Sequence, residues 1–160
     1  MHRYIKLAAL VGVAAFSAGA LAAQEEDESP QDIAVEIRQG HMLNYAANLM
    51  VVGGMAQGQR DYDAAAAQVA ADNLFHLASI NQAHYWPEGT SNADMEDSKA
   101  LPAIWENMDD FNAKQANLLQ AVTALQGAAG TDLAALQGAM GAVGQACGAC
   151  HQNYRESEEQ

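Results

Sequence analysis

Cys147, Gly148, Ala149, Cys150 and His151 stand in the order C-x-x-C-H near the end of the chain, a spacing that suits one particular chemistry. On a helix, positions i and i+3 share a face, so two thiols can each add to a vinyl group along one edge of a porphyrin. The imidazole that follows then sits beside the macrocycle, where a ring nitrogen can bind iron. Covalent attachment of one haem c through Cys147 and Cys150, with His151 as axial iron ligand, is the predicted outcome. A structural zinc would need four ligands where only two cysteines exist, and a thioredoxin-like pair expects a βαβ setting. A haem-free thiol oxidoreductase or helical binding module is the alternative reading.

The motif needs helices that carry it to a pocket. Its own helix, capped by Thr131 or Asp132, places Leu133, Leu136, Met140, Val143, Cys147 and Cys150 at alternating steps of three and four, so both thiols face a core. A first helix is predicted from about Asp32 to Gln57, with Val35, Met42, Leu49 and Ala56 on one seam and Arg38, Tyr45 and Val52 interleaved; Gly58 ends it. Asp61 is expected to cap a second helix that runs to Trp86-Pro87, with Ala66, Ala70, Asn73, Leu77, Ile80 and His84 inward. After a long polar connection from Pro87 to Ser98 and a short helical turn within Lys99 to Asn107, a third main helix spans about Asp109 to Gln126, stopped by Gly127 and Gly130. No stretch alternates as a strand would. The expected fold class is all-α, an antiparallel up-down-up-down four-helix bundle enclosing the haem.

Arg3 and Lys6 precede an uncharged apolar run from Leu7 to Ala22 that closes on Ala20-Leu21-Ala22, the pattern of a secretory signal peptide over residues 1–22. Residues 23–31 read as a flexible acidic tail, leaving 32–160 as one domain in the periplasm, free of the membrane once the signal is cut. Seven Lys and Arg oppose twenty Asp and Glu, and without Arg3 and Lys6 the balance is five against twenty. Such a surface argues against nucleic acid as a partner and favours redox proteins with a basic docking surface.

Further residues follow one another in a set order: Arg38-Gln39 with Met42, Met55-Ala56-Gln57-Gly58, Tyr62-Asp63-Ala64-Ala65-Ala66, Glu88-Gly89-Thr90, Ile104-Trp105, and Tyr154-Arg155 after the haem histidine. In that order and spacing the chain resembles the cytochrome c′ family, including its low-spin, methionine-ligated relatives, over nearly the whole of residues 32–160. In the bundle, Met42 lies about 15 Å into the first helix and His151 about 10 Å before the fourth frays, so the two are level within one turn. His41 is rotated about 100° away from that seam. Met42 is therefore the candidate sixth ligand, or a distal cover that shields the iron without binding it. Arg38, one turn earlier, is placed to pair with a haem propionate.

The resemblance adds Gln39, Thr90 and Ser91 as polar groups at the haem rim, Arg155 near the proximal side, and a homodimer through the first two helices. His76 and His84 read as helix residues without a metal role. With His and Met both bound, iron is low spin and suits electron transfer; with the sixth site only shielded, the resemblance implies binding of nitric oxide or carbon monoxide. The predicted function is a monohaem one-electron carrier, a small-gas binder, or both, and not an enzyme. A haem enzyme reducing nitric oxide or peroxide is the rival, disfavoured because no acid and base pair stands beside Met42.

Overall fold

The computed structural model describes residues 28–157; the expected signal peptide and residues 23–27 of the expected tail lie outside them. Its helices are α1 (Pro30–Ala56), α2 (Ala64–Ala78), the short α3 (Ala103–Glu106), α4 (Met108–Ala128) and α5 (Leu133–Tyr154), with a 3₁₀ turn at Ala83–Tyr85. Each long helix starts on a side chain that accepts a backbone N–H of its first turn: Ser29 from Asp32, Asp63 from Ala66, Asn107 from Asp110 and Asp132 from Ala135. At α1 the Asp32 carboxylate reaches back to Ser29, completing a capping box. That box and Pro30 in the first turn start the helix two residues earlier than expected, so Pro30 and Gln31 belong to α1 and not to a tail.

α2 departs most from the sequence expectation. Its cap is Asp63, not Asp61, and it ends at Ala78 instead of continuing to Trp86. The Ser79 hydroxyl bonds back to the Phe75 carbonyl at 2.7 Å, and the Asn81 side chain takes the Ala83 N–H at 3.0 Å. Such local bonds compete with the helical ladder. Ile80 and His84 are consequently exposed, as is Asn73, and the inward face is Ala67, Ala70, Ala71 and Leu74.

α1 packs on α2 and α5, and α4 packs on the same two, so the four long helices close a ring. Short turns join α1 to α2 and α4 to α5, which makes those neighbours antiparallel. The main core holds Val52, Met55, Leu74, Val122, Leu125, Leu136 and Val143. A second, smaller cluster of Ile104, Phe111 and Tyr154 sits under the connection that follows α2. Cys147 packs against the first cluster and Cys150 against the second. The predicted stripe of α5 holds, apart from Leu133, which is exposed. Among the described residues no helix is long and apolar enough to cross a membrane.

The 79–102 connection is tied to the end of the bundle where α1 starts and α5 finishes. The Tyr154 carbonyl accepts from the Leu101 N–H and the Lys99 carbonyl from the Glu156 N–H, and Ala100 and Arg155 form an isolated antiparallel bridge. Gly89, at φ +76°, supplies the left-handed turn before Thr90. This clamp closes one end of the bundle over α5's last turn, where the C-x-x-C-H motif lies.

Candidate haem-binding site

A cavity of about 660 Å³ opens between the two clusters. Cys147, Cys150, His151 and Arg155 line it from α5 and its end, and Arg38, Gln39, Met42 and Tyr45 line it from α1. Most of the remaining wall is apolar or aromatic, with Val35, Leu49, Trp86, Ile104, Phe111 and Leu118. Spacing on two helices thus brings the predicted thiols, the predicted axial histidine and the candidate methionine around one space. Met42 is 41% exposed, whereas His41 is buried outside the cavity wall, edge-on to Tyr45 and Tyr85, with its Nε2 3.2 Å from the Gln82 amide nitrogen.

The electrostatics suit a thioether-forming pair better than a redox-active one. Burial raises both thiol pKa values, that of Cys150 to about 11 with a further contribution from Cys147. Reactive C-x-x-C pairs instead carry a depressed thiol, the opposite direction from the one found here. Partial enclosure, helped by the charge of Arg155, lowers the pKa of His151, which leaves a neutral ring with a lone pair for a metal. Tyr154, three residues on, donates its hydroxyl to Asp110 Oδ2 at 2.6 Å, and chiefly that bond pushes its pKa up to about 12.

Arg38 does more than the sequence suggested. It is buried, and its terminal nitrogens donate to the Tyr85 carbonyl at 2.9 Å, the Thr90 hydroxyl at 2.8 Å, the Thr90 carbonyl at 2.9 Å and the Ser98 hydroxyl at 3.5 Å. The guanidinium carbon also lies 4.7 Å from the centre of the Trp86 ring. Its terminal N–H groups are therefore committed to holding the 85–98 connection, and Nε–H and the charge are what it can offer the cavity. Thr90 and Ser91, expected at the rim, are buried and do not line the cavity. Thr90 receives Arg38 and bonds the Pro87 carbonyl, and Ser91 bonds Asp94. Ser98 and Lys99 line the wall from that connection instead. Gln39 lines the cavity with its amide donated to the Asp97 carbonyl at 2.8 Å. Replacing Arg38 with leucine is expected to cost about 3 kcal/mol in urea unfolding, because it strands buried carbonyls of the connection; a loss below ~1 kcal/mol would show that the connection holds without it.

Two observations test whether these residues fit a haem. Of the five basic residues that follow Lys6, four line this one cavity: Arg38, Lys99, Lys114 and Arg155. Lys99 pairs with Glu156 at 2.9 Å and Lys114 reaches Asp110 at 3.9 Å, yet such a gathering in an acidic chain suits a ligand that bears carboxylates. In addition, the buried side-chain polar atoms without a hydrogen-bond partner among the described residues are the Tyr45 hydroxyl and the Trp86 indole nitrogen, both from residues on this wall. An apolar cavity with two thiols and an imidazole on one side, cations around it and unmet donors in its wall matches a porphyrin with propionates.

The sequence matches the cytochrome c′ family over residues 33–155. The chain belongs to that family. It is a monohaem c-type cytochrome with covalently attached haem c. It is 45% identical over 143 residues to cytochrome c-554 of Cereibacter sphaeroides, covering 89% of this chain and 94% of that one. Among solved structures, the cytochrome c′ from Rhodobacter Spheriodes superposes with a TM-score of 0.78 at 35% identity, over 80% of this chain and 98% of that one. A nitric oxide complex of a cytochrome c′ mutant from Alcaligenes xylosoxidans superposes with a TM-score of 0.69 at 32% identity, over 81% of this chain and 98% of that one. These bundles bear out the all-α class.

Several wall residues of this cytochrome were missed in the sequence: Tyr45 as a polar group, Trp86, Ser98, Lys99, Lys114, and the Gln115 amide that donates to Gln82 at 3.2 Å. For the lysines a signal existed, since basic residues are scarce enough after Lys6 for each to be suspected of a specific task. Tyr45 stands at an interleaved seam position, which marks its place but not its polar role, and nothing in the local pattern marks Trp86 or Ser98.

Proposed function

We propose that this cytochrome passes single electrons through a haem c bonded to the sulfurs of Cys147 and Cys150, with His151 and Met42 as its two axial ligands. The observation that carries the reading is that Met42 on α1 and His151 on α5 line the same cavity as both thiols. A haem held by His and Met supplies one-electron exchange at a raised potential. The chain's own contribution is a stiff, largely apolar wall: Ile104 and Phe111 are buried beneath the clamp, and Val35 closes the side towards α1. Such a wall keeps bulk water away and limits rearrangement when the charge changes. Arg38 adds a fixed positive charge that favours propionates at the rim, with Gln39, Lys99 and Arg155 beside it. Thr90 and Ser91 act one step back, through Arg38 and the connection.

The periplasm is the proposed location, on the strength of the signal pattern in residues 1–22. The acidic surface favours redox partners with a basic face. A homodimer through α1 and α2 is supported by exposed Ile33, Ile37, Leu43 and Met50 on α1 and Val69 on α2; a sedimentation mass equal to one chain would remove it. A second reading, binding of nitric oxide or carbon monoxide, is favoured by the nitric oxide complex of the Alcaligenes xylosoxidans protein and requires Met42 to stand aside.

One purified sample tests the main proposal. The pigment is expected to stay with the protein in acidified organic solvent, and the mass to exceed that of the processed chain by one haem. Turnover of peroxide or nitric oxide is expected to be no faster than with free haem. Extraction of the pigment would refute the covalent attachment, and rapid turnover would move the protein to the enzyme class.

A further inference from the structure

We infer that the Tyr45 hydroxyl donates a hydrogen bond to the thioether sulfur of Met42 and thereby raises the reduction potential of the site. This rests on Met42 being the sixth ligand, as proposed above. Tyr45 is 6% exposed, lies in the main core beside Cys147, and lines the haem cavity, yet its hydroxyl has no partner. A buried hydroxyl without an acceptor costs about 1–3 kcal/mol. Phenylalanine would fill the same space without that cost, so the hydroxyl implies an acceptor within the cavity.

Neighbouring nitrogen and oxygen acceptors are already engaged, which leaves two sulfurs, those of Met42 and of Cys147. The ring of His41 meets Tyr45 edge-on at 4.9 Å, and its Nε2 faces the Gln82 amide; the Gln82 oxygen takes the Gln115 amide. Trp86, whose indole nitrogen also lacks a partner, belongs to the other end of the cavity, against Arg38, Trp105 and Phe111. The sulfur of Met42 is the acceptor left on Tyr45's own helix face, because positions i and i+3 lie one above the other. Thioether sulfur accepts hydrogen bonds, though weakly. Met42 has three rotatable bonds and is 41% exposed, so close packing does not prevent its sulfur from turning inward. Burial, with a smaller effect of Cys147, also raises the Tyr45 pKa well above the usual phenol range, which keeps the donor protonated.

The electronic consequence has a definite sign. A proton shared with a sulfur lone pair draws density away from the sulfur, which then stabilises ferric iron less than ferrous iron. Tyr45 is thus a positioning residue that acts through Met42.

Tyr45→Phe in the haem-loaded protein is the test, since it removes the oxygen and keeps the ring. The expected results are a lower midpoint potential, a shifted methionine-to-iron charge-transfer band in the ferric spectrum, and displacement of Met42 by added imidazole slowed about fivefold. Transfer of the wild-type protein into deuterated water should move the same band, a reading that needs no substitution. Three unchanged values would overturn the inference. So would a potential that moves while the band and the displacement rate stand still, because the acceptor would then lie elsewhere on the haem. Met42→Ala separates the two levels: if it leaves the ferric spin state as it was, Met42 ligation fails and this inference with it. A wild type that is low spin through Met42, beside a silent Tyr45→Phe, defeats only the tyrosine.

Discussion

Met42→Ala is expected to convert the ferric protein completely from low to high spin and to lower its reduction potential. Methionine is the one wall residue on α1 with a soft donor atom; its neighbours on that wall, Val35, Leu43, Ala46 and Leu49, have none. Alanine therefore leaves no soft donor on that helix to replace the thioether. Loss of the sulfur would remove the proposed ligand that raises the potential and open a route along the α1 wall to the distal side. Carbon monoxide and imidazole, slow to enter the wild type, should bind the variant at once. Because Met42 sits in neither core cluster, the variant should still unfold in one sharp urea transition, and that transition shows that a spectral change does not come from misfolding. Identical high-spin ferric spectra for wild type and variant would eliminate ligation by Met42 and leave the gas-binding reading in its place.

Replacing Cys147 and Cys150 together with alanine is expected to abolish both pigment and cooperative folding. The cavity of about 660 Å³ that the haem would fill is walled mostly by apolar side chains, and leaving such a wall to water forfeits about 25 cal/mol for each Å² of apolar surface. Without its haem the bundle must therefore flood with water or collapse, and Phe111 and Leu118 lose their packing either way. The double variant should keep part of its helical far-ultraviolet signal, lose its near-ultraviolet aromatic signal and bind a hydrophobic dye, as a loosened bundle does. Either single variant should retain haem through one thioether and fold less stably. A colourless double variant that unfolds as sharply as the wild type, at the same urea concentration, would contradict the proposed attachment.

Much of the architecture was legible because it is local. The steps of three and four along α5 place Leu136, Val143, Cys147 and Cys150 on one face whatever the rest of the chain does, and the structure keeps them there. Asp132 is one of the two caps the sequence offered, and it is the one used. α2 was misread for an equally local reason: apolar spacing suggested continuation past Ala78, while the hydroxyl of Ser79 and the amide of Asn81 offered the backbone other partners. Periodicity reports which face can be buried, but not where competing hydrogen bonds stop the helix.

The sequence alone determined the class of the protein and the covalent haem motif, and it led to the expectation that an α5 histidine and an α1 methionine share one cavity, because helix rise and residue spacing suffice for these. Only the tertiary structure decided how Arg38 is used. Its partners lie 47 to 60 residues away in a connection without regular pattern, and it is this connection that removes Thr90 and Ser91 from the wall and sets Ser98 and Lys99 in their place. The same holds for Lys114, Trp86 and the unmet hydroxyl of Tyr45, which meet around one cavity from different segments. Contacts between distant segments follow from how helices pack and loops close, and no repeat within a single segment encodes them.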